Sequence, residues 1–212
     1  MKASVVFLVV VAALCGATAC GSGGASESNA SGSGGSDPQY SVTVYGYQRD
    51  GVVVPNAPRF SHTWGIFHKE QGGETESLTI SWFTHVPGAN IFTAPVEGAN
   101  LGHEESIALG NSLASEIRTL GTAGISASLW NAANEQARAF ASGRVQYKMD
   151  MRGEEPDRLA VLRGGSGYNN CAYGLADIGV RADAPLLDTG NARGFESSQM
   201  VLNYFGYYFG RH

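Results

Sequence analysis

Gly164-Gly-Ser-Gly-Tyr-Asn-Asn-Cys-Ala-Tyr-Gly-Leu-Ala-Asp-Ile178 is the stretch whose reading decides what this chain is. Gly164, Gly165 and Gly167 make a flexible approach, and Asn169-Asn170 is a helix-starting pair, because a short amide side chain caps free backbone N–H groups. Cys171 then falls in the first turn of a short, mostly apolar helix carrying Ala172, Leu175, Ala176 and Ile178. A helix N-terminus carries partial positive charge, which favours thiolate over thiol and suits a nucleophilic cysteine. The same residue also reads as a buried structural cysteine, since an unpaired Cys packs as a small hydrophobe. This stretch alone supports both readings.

The beginning of the chain bears on that choice. Met1-Lys2 is a minimal basic start, and Val5 to Leu14 form an apolar run too short to span a bilayer. Small residues follow, Gly16-Ala-Thr-Ala19, and then Cys20; these are the parts of a secretory signal peptide. Ala17-Thr-Ala-Cys20 resembles a bacterial lipobox, whose cysteine is lipidated and becomes the mature N-terminus, although Ala17 stands where Leu or Val is commoner. Plain Ala-x-Ala cleavage before Cys20 is the alternative. Residues 21–38 hold six Gly and six Ser with almost nothing to bury, the composition of a flexible tether. The expected organisation is a signal peptide over 1–19, a lipidated Cys20 with its tether over 20–38, and one domain over 39–212. Such a chain is exported and held at the cell envelope, with a bacterial membrane as its partner through the lipid.

Of three cysteines, Cys15 leaves with the signal peptide and Cys20 takes the lipid. Cys171 is then an unpaired thiol in an oxidising compartment, a liability unless it has a chemical role. The net charge of −5 gives no sign of nucleic-acid binding or of electrostatic attachment to anionic lipid. Hydrophobic residues at 43% suffice for an ordinary core.

Working outward, Tyr40 to Tyr47 alternates and is rich in β-formers, so it reads as a strand. Arg49-Asp-Gly51 signals a turn and Val52 to Val54 a second short strand, stopped by Pro55. Ser61 to Phe67 is strand-like, with His62, Trp64 and Ile66 on one face; Gly72-Gly73 turns the chain, and Ser77 to Phe83 returns antiparallel. Residues 84–102 read as an irregular excursion. Ile107, Leu109, Leu113, Ile117 and Leu120 mark an amphipathic helix from Glu104 that Gly121 ends. Ile125 to Leu129 reads as a short strand, Asn131 to Ser142 as a helix closed by Gly143, and Arg144 to Met151 as a strand. Residues 152–163 read as a charged loop, and Ser197 to Phe209 as a closing helix. Strands and helices mixed in this order predict an α+β fold.

A nucleophilic cysteine needs a base, usually His, brought close by the fold. The candidates are His62, His68, His85, His103 and His212. His62 lies on an apolar strand face, where an ionisable group is unfavourable unless used or satisfied; a satisfied core histidine is the other reading. No His or Cys shows metal-ligand spacing, so neither a metal nor a cofactor is expected.

His62-Thr-Trp-Gly-Ile-Phe67, followed 109 residues after the histidine by Asn170-Cys171-Ala-Tyr, resembles the circularly permuted papain-like cysteine hydrolases, the group that includes lecithin–retinol acyltransferase. The resemblance spans roughly residues 60 to 180, and only its two short motifs are specific. It implies an antiparallel sheet packed against the helix that starts at the catalytic Cys171, with His62 as base. It also implies a polar third residue on the next strand, for which Ser81 is the positional match, expected only to orient the ring. Tyr173 stands where the family has His, and the turn after the histidine strand is longer. The implied chemistry is attack of sulfur on an amide or ester carbonyl, through a thioester that is hydrolysed or passed to an acceptor. The Cys171 N–H is then an oxyanion donor, and Asn170 a second donor or only the helix cap. Cell-wall peptide or lipid acyl bonds are the implied substrates. A non-catalytic binding lipoprotein of the same fold is the second function class.

If Cys20 is lipidated, the mature protein partitions into detergent, and Cys20→Ala releases it or leaves it unprocessed. A water-soluble mature wild-type chain beginning at another residue would end the idea.

Overall fold

The alternation over residues 40–47 does form a strand, β1, spanning Gln39–Arg49. A computed structural model describes residues 36–49, 61–84, 94–113, 115–189 and 195–210. The expected signal peptide, Cys15, Cys20, nearly all of the tether, the strand at 52–54, His85 and His212 lie outside the described residues. β2 (Ser61–Gln71) pairs antiparallel with β1, setting Tyr45 opposite Trp64 and Tyr47 opposite His62. Gly72 and Gly73 turn with φ of 62° and 84°, a conformation that favours residues without a Cβ. β3 (Glu74–Ile80) then returns antiparallel on the far side of β2.

β3 stops at Ile80 for a side-chain reason. The Ser81 N–H donates to Asn100 Oδ1 at 2.7 Å, while Asn100 Nδ2 donates to the Thr79 carbonyl at 2.9 Å. An asparagine amide thus takes the positions a neighbouring strand would fill, and the chain leaves the sheet. β4 (Trp82–Thr84) and β5 (Val96–Asn100) belong to a second sheet, so the expected irregular excursion contains a strand at its end.

The helical period from Glu104 is half right. α1 (His103–Ser112) is a helix with Glu104 and Glu105 in its first turn, but residues 115–124 form β6 (Ser115–Gly124) on the other edge of β1. Ile117 and Leu120 therefore lie on a strand. Their three-residue spacing fits a helix face, but pairing with β1 decides for the strand. The short strand expected over 125–129 is instead the start of α2 (Ala127–Ala141), capped by Ser126. β7 covers only Val145–Tyr147 of the strand expected over 144–151. The expected charged loop holds α3 (Glu155–Leu162), started by Pro156 in its first turn, where a missing N–H costs nothing. β8 (Gly167–Asn169) runs parallel to β7 and leads into α4 (Cys171–Arg181). α5 (Phe195–Phe209) closes the described chain.

The architecture is α+β: a four-stranded antiparallel sheet, β3-β2-β1-β6, a mixed sheet, β4-β5-β7-β8, and five helices among the described residues. α4 is the centre of the core. Cys171 through Gly179 are all buried, as expected of a helix apolar nearly all round. Leu175 lies over Gly65 of β2, Phe67 meets Phe205 of α5 edge-on, and α2 packs on the same helix through Phe140 at Gly174. Val42, Val44, Gly65 and Phe67 thus face α4 and α5. Tyr45, Tyr47, His62 and Trp64 face the other way, where Trp64 meets His103 and Tyr47 approaches Gly110, both on α1. No helix of the described residues is long and apolar enough to cross a membrane.

Two helical glycines make opposite predictions. A Cβ on Gly179 would overlap the ring of Tyr204, whose hydroxyl donates to the Pro185 carbonyl at 2.8 Å, whereas a Cβ on Gly206 meets nothing within 4 Å. Alanine gains about 0.5–1 kcal/mol of helix propensity at either place. At Gly179 the overlap costs about 1–3 kcal/mol and wins. Gly206→Ala is expected to raise, and Gly179→Ala to lower, the midpoint of denaturant unfolding.

Candidate active site

Ser81, the residue at which the chain changes sheets, is fully buried and makes the central contacts of the site. Its Oγ lies 2.8 Å from His62 Nε2 and 2.7 Å from Ser106 Oγ. The Ser106 hydroxyl donates to the Gly102 carbonyl at 2.8 Å. These distances fix every proton in the row. A carbonyl can only accept, so the single Ser106 proton is committed to Gly102. Ser81 must then donate to Ser106, which leaves its oxygen to accept from His62. The proton of a neutral His62 is therefore on Nε2, and Nδ1 carries a lone pair. His62 Nδ1 is buried and has no hydrogen-bond partner among the described residues.

The ring is held on its other sides by aromatic contacts. It stacks on Trp64 with centroids 5.6 Å apart and meets the edge of Phe83 at 5.0 Å and Tyr47 at 5.5 Å. Trp64 is fixed in turn by donating Nε1–H to His103 Nδ1 at 3.1 Å and by stacking on Tyr45. Burial holds the His62 imidazole at about 3, well below its usual range, so the ring is neutral near pH 7.

Cys171 is the first residue of α4, and Asn170 caps that helix as expected. Asn170 Oδ1 accepts from the Tyr173 N–H at 2.8 Å, and Nδ2 donates to the Met149 carbonyl at 3.2 Å. Both ends of the amide are engaged, so it serves as cap and tie, with one N–H of Nδ2 remaining. The peptide N–H groups of Thr63, Ala172 and Cys171 and the Tyr147 hydroxyl act on the Cys171 sulfur in the direction that favours thiolate. The Thr63 N–H is exposed to the sulfur because β3 ends opposite Gly65, leaving the edge of β2 open beside His62 and Thr63.

Cys171 starts the helix on one face of this sheet, whereas the His62 ring lies with Trp64 and Tyr47 on the other. No hydrogen bond joins them. The expected lowering of the thiol pKa by the helix N-terminus is present but outweighed: burial pushes the Cys171 thiol up, and the surrounding N–H groups only partly offset it. At rest, burial favours a neutral thiol and a neutral imidazole.

Of the other histidines, His68 pairs with exposed Ser77 at 2.9 Å, and His103 serves Trp64. Three contributors were not singled out from the sequence. Ser106 had no signal beyond being a serine in the first turn of a helix, and Thr63 acts through its backbone. Tyr147 was visible only as a strand residue, yet its register opposite Asn169 brings it to the cysteine. Among the described residues no group of three or more His, Cys, Asp or Glu is arranged to hold a metal. Comparison with known proteins finds no matching family model, curated protein or solved structure.

A histidine kept neutral by burial makes stability depend on acid. The unfolded imidazole titrates near 6.5 and the folded one at about 3, so between those values the unfolded chain binds the extra proton. Stability contributed by neutral His62 is fully present above about pH 6.5 and is lost as the pH falls towards 3, at up to about 1.4 kcal/mol per unit. His62→Gln is expected to flatten the wild-type stability curve across this window while leaving its slope above pH 7 unchanged. Parallel curves for the two proteins would show that His62 does not titrate as described.

Proposed function

We propose that this chain is a thiol hydrolase of the permuted papain-like kind, with Cys171 as nucleophile, His62 as base and Ser81 as the group that orients the base. The observation that supports this reading is the hydroxyl row from Gly102 through Ser106 and Ser81, which puts the imidazole proton on Nε2 and leaves a buried Nδ1 without a hydrogen-bond partner. A merely structural histidine would be expected to have both nitrogens satisfied.

In the proposed reaction His62 Nδ1 accepts the thiol proton as sulfur attacks the carbonyl carbon of an amide or ester. The imidazolium then gives that proton to the departing amine or alcohol, and the acyl group remains on sulfur as a thioester. Water, or another acceptor, delivers its proton to Nδ1 as it attacks the thioester, and that proton passes to the departing sulfur, releasing the acid or the transferred acyl product and restoring the neutral thiol. The Cys171 N–H, free of an intrahelical partner at the start of α4, turns to the developing oxyanion. Because the resting pair is neutral, proton transfer accompanies attack instead of preceding it. Hydrogen bonds of such pairs commonly tighten only in the reacting complex, which accommodates the absence of a direct bond here. Lipid anchoring through Cys20 would set this chemistry at the cell envelope, with cell-wall peptide or lipid acyl bonds as substrates.

A non-catalytic binding lipoprotein is the second reading, and the burial of Cys171 favours it. Alkylation kinetics separate the two. With a neutral resting thiol, the rate of iodoacetamide labelling in the catalytic protein is expected to keep rising through about pH 8.5, instead of levelling near neutrality. His62→Ala slows labelling at pH 7, and hydrolysis of a p-nitrophenyl ester falls by about 100-fold or more. Cys171→Ser abolishes that hydrolysis with the fold intact. Ser81→Ala, which frees the tautomer, lies between wild type and His62→Ala. Identical labelling profiles for folded wild type and His62→Ala would overturn the assignment.

A further inference from the structure

Among the described residues three large apolar side chains are exposed: Leu186 at 41%, Tyr208 at 45% and Tyr207 at 77%. They gather at one end of α5. Tyr207 and Tyr208 meet edge to face at 4.8 Å, Tyr208 packs on Tyr204 at 5.2 Å, and the Tyr204 hydroxyl donates to the carbonyl of Pro185, the residue before Leu186. The outward stripe of the same helix is polar until its last turn. Exposed Glu196, Gln199 and Asn203 precede Tyr207 at helical spacing, and Gln199 Nε2 donates to Asn203 Oδ1 at 2.9 Å. No charged residue occurs from 197 to 210.

The direction of α5 identifies that end of the sheet. A Cβ on Gly46 of β1 would meet Ser198, and one on Gly121, opposite Val44, would meet Leu202. The Phe205 ring lies 5.9 Å from that of Phe67, which is opposite Val42. α5 therefore runs antiparallel to β1. A helix rises about 1.5 Å per residue and a strand about 3.3 Å, so Tyr207 and Tyr208 come level with about residues 40–41. This is the end at which the chain enters β1 from Cys20. Residues 21–38, which lie between, reach at most about 60 Å on full extension. A bilayer holding Cys20 is thus within reach of the two rings.

The three side chains offer roughly 300–400 Å² of surface, well short of about 800 Å² per partner in a stable protein interface. A lipid surface needs no such area once the chain is tethered to it. Tyrosine suits that surface, because its ring enters the acyl boundary while its hydroxyl stays among the headgroups. We propose that the last turn of α5, through Tyr207, Tyr208 and neighbouring Leu186, is a docking surface for the membrane interface and holds this end of the domain against the bilayer. The proposal rests on the reading of Cys20 as the lipid anchor, which brings the bilayer to that end, and involves none of the thiol chemistry.

The test supplies the anchor itself. Residues 35–212 form one compact unit, so the chain from residue 20 onward is used, with Cys171→Ser leaving Cys20 as its only thiol. Cys20 is coupled to a maleimide phospholipid in phosphatidylcholine vesicles. Trp64, Trp82 and Trp130 are buried, so the emission added by Tyr207→Trp reports on that position. Lipid brominated along its acyl chains is expected to quench the added emission by about half, equally at about 0.05 and 0.5 M salt, since the contact is apolar. Asn203→Trp, one turn earlier on the same stripe, is expected to stay unquenched. No quenching at position 207, equal quenching at 203 and 207, or quenching lost at the higher salt would overturn the proposal. So would a blue shift without quenching that fades when fewer chains are coupled per vesicle, the mark of a second copy. Lipidation of Cys20 in the cell is read separately from the mass of the mature chain, so failure of the anchor and failure of the docking surface give different results.

Discussion

The commitment of one serine proton to one carbonyl is the constraint on which the site depends. Because Ser106 must donate to Gly102, Ser81 must donate to Ser106, and His62 must donate to Ser81. The direction of each bond follows from the acceptor at the end of the row, not from any property of the histidine. The first turn of α1 supplies that acceptor, and it is itself braced by Glu105, whose carboxylate accepts from the Gly102 N–H at 2.7 Å. Ser81 joins this arrangement to the sheets. Its backbone N–H is taken by Asn100 and its carbonyl accepts from Leu101 N at 2.9 Å, so the residue that orients the imidazole is also where the chain passes from one sheet to the other.

Burial is the second governing effect, and it acts on both partners in opposite senses. It disfavours the charged form of each group, driving the imidazole down and the thiol up. A helix N-terminus offers a cysteine an effect of about 0.3–1 kcal/mol at the surface and up to about 2 kcal/mol when partly buried. Removing a fully buried group from water shifts its pKa by as much as 3–5 units. Helix-start charge therefore cannot by itself make a thiolate of Cys171.

The sequence made the long and locally specified parts of this fold legible. β1, β2 and their turn to β3 follow from alternation and the Gly72-Gly73 pair, and α4 from its Asn170 cap. The pairing of His62 with Ser81 was also within reach, because Ser81 directly follows β3, the strand that pairs antiparallel with β2. What failed was decided elsewhere in the chain. Ile117 and Leu120 suit a helix face or a strand equally, and only the free edge of β1 settles them as β6. Residues 152–163 read as a charged loop, yet Pro156 stands in the first turn of α3, where a proline forfeits no hydrogen bond. The Ser106 and Tyr147 contacts had no local signature, since each depends on register and helix docking between segments far apart in sequence. The buried Arg158–Asp177 pair was likewise invisible, because Arg158 fell in the segment read as a charged loop.

The protonated resting state of Cys171 has a bearing on its survival. Oxidants and disulfides are attacked by thiolate, and the ladder from sulfenic acid onward begins at accessible, ionised sulfur. Cys171 is neither: it is 7% exposed, and its proton is retained by burial. A sulfur of this kind is kinetically shielded from peroxide and from mixed-disulfide formation. The Cys171 thiol, free among the described residues, can persist in surroundings that would consume an ionised one.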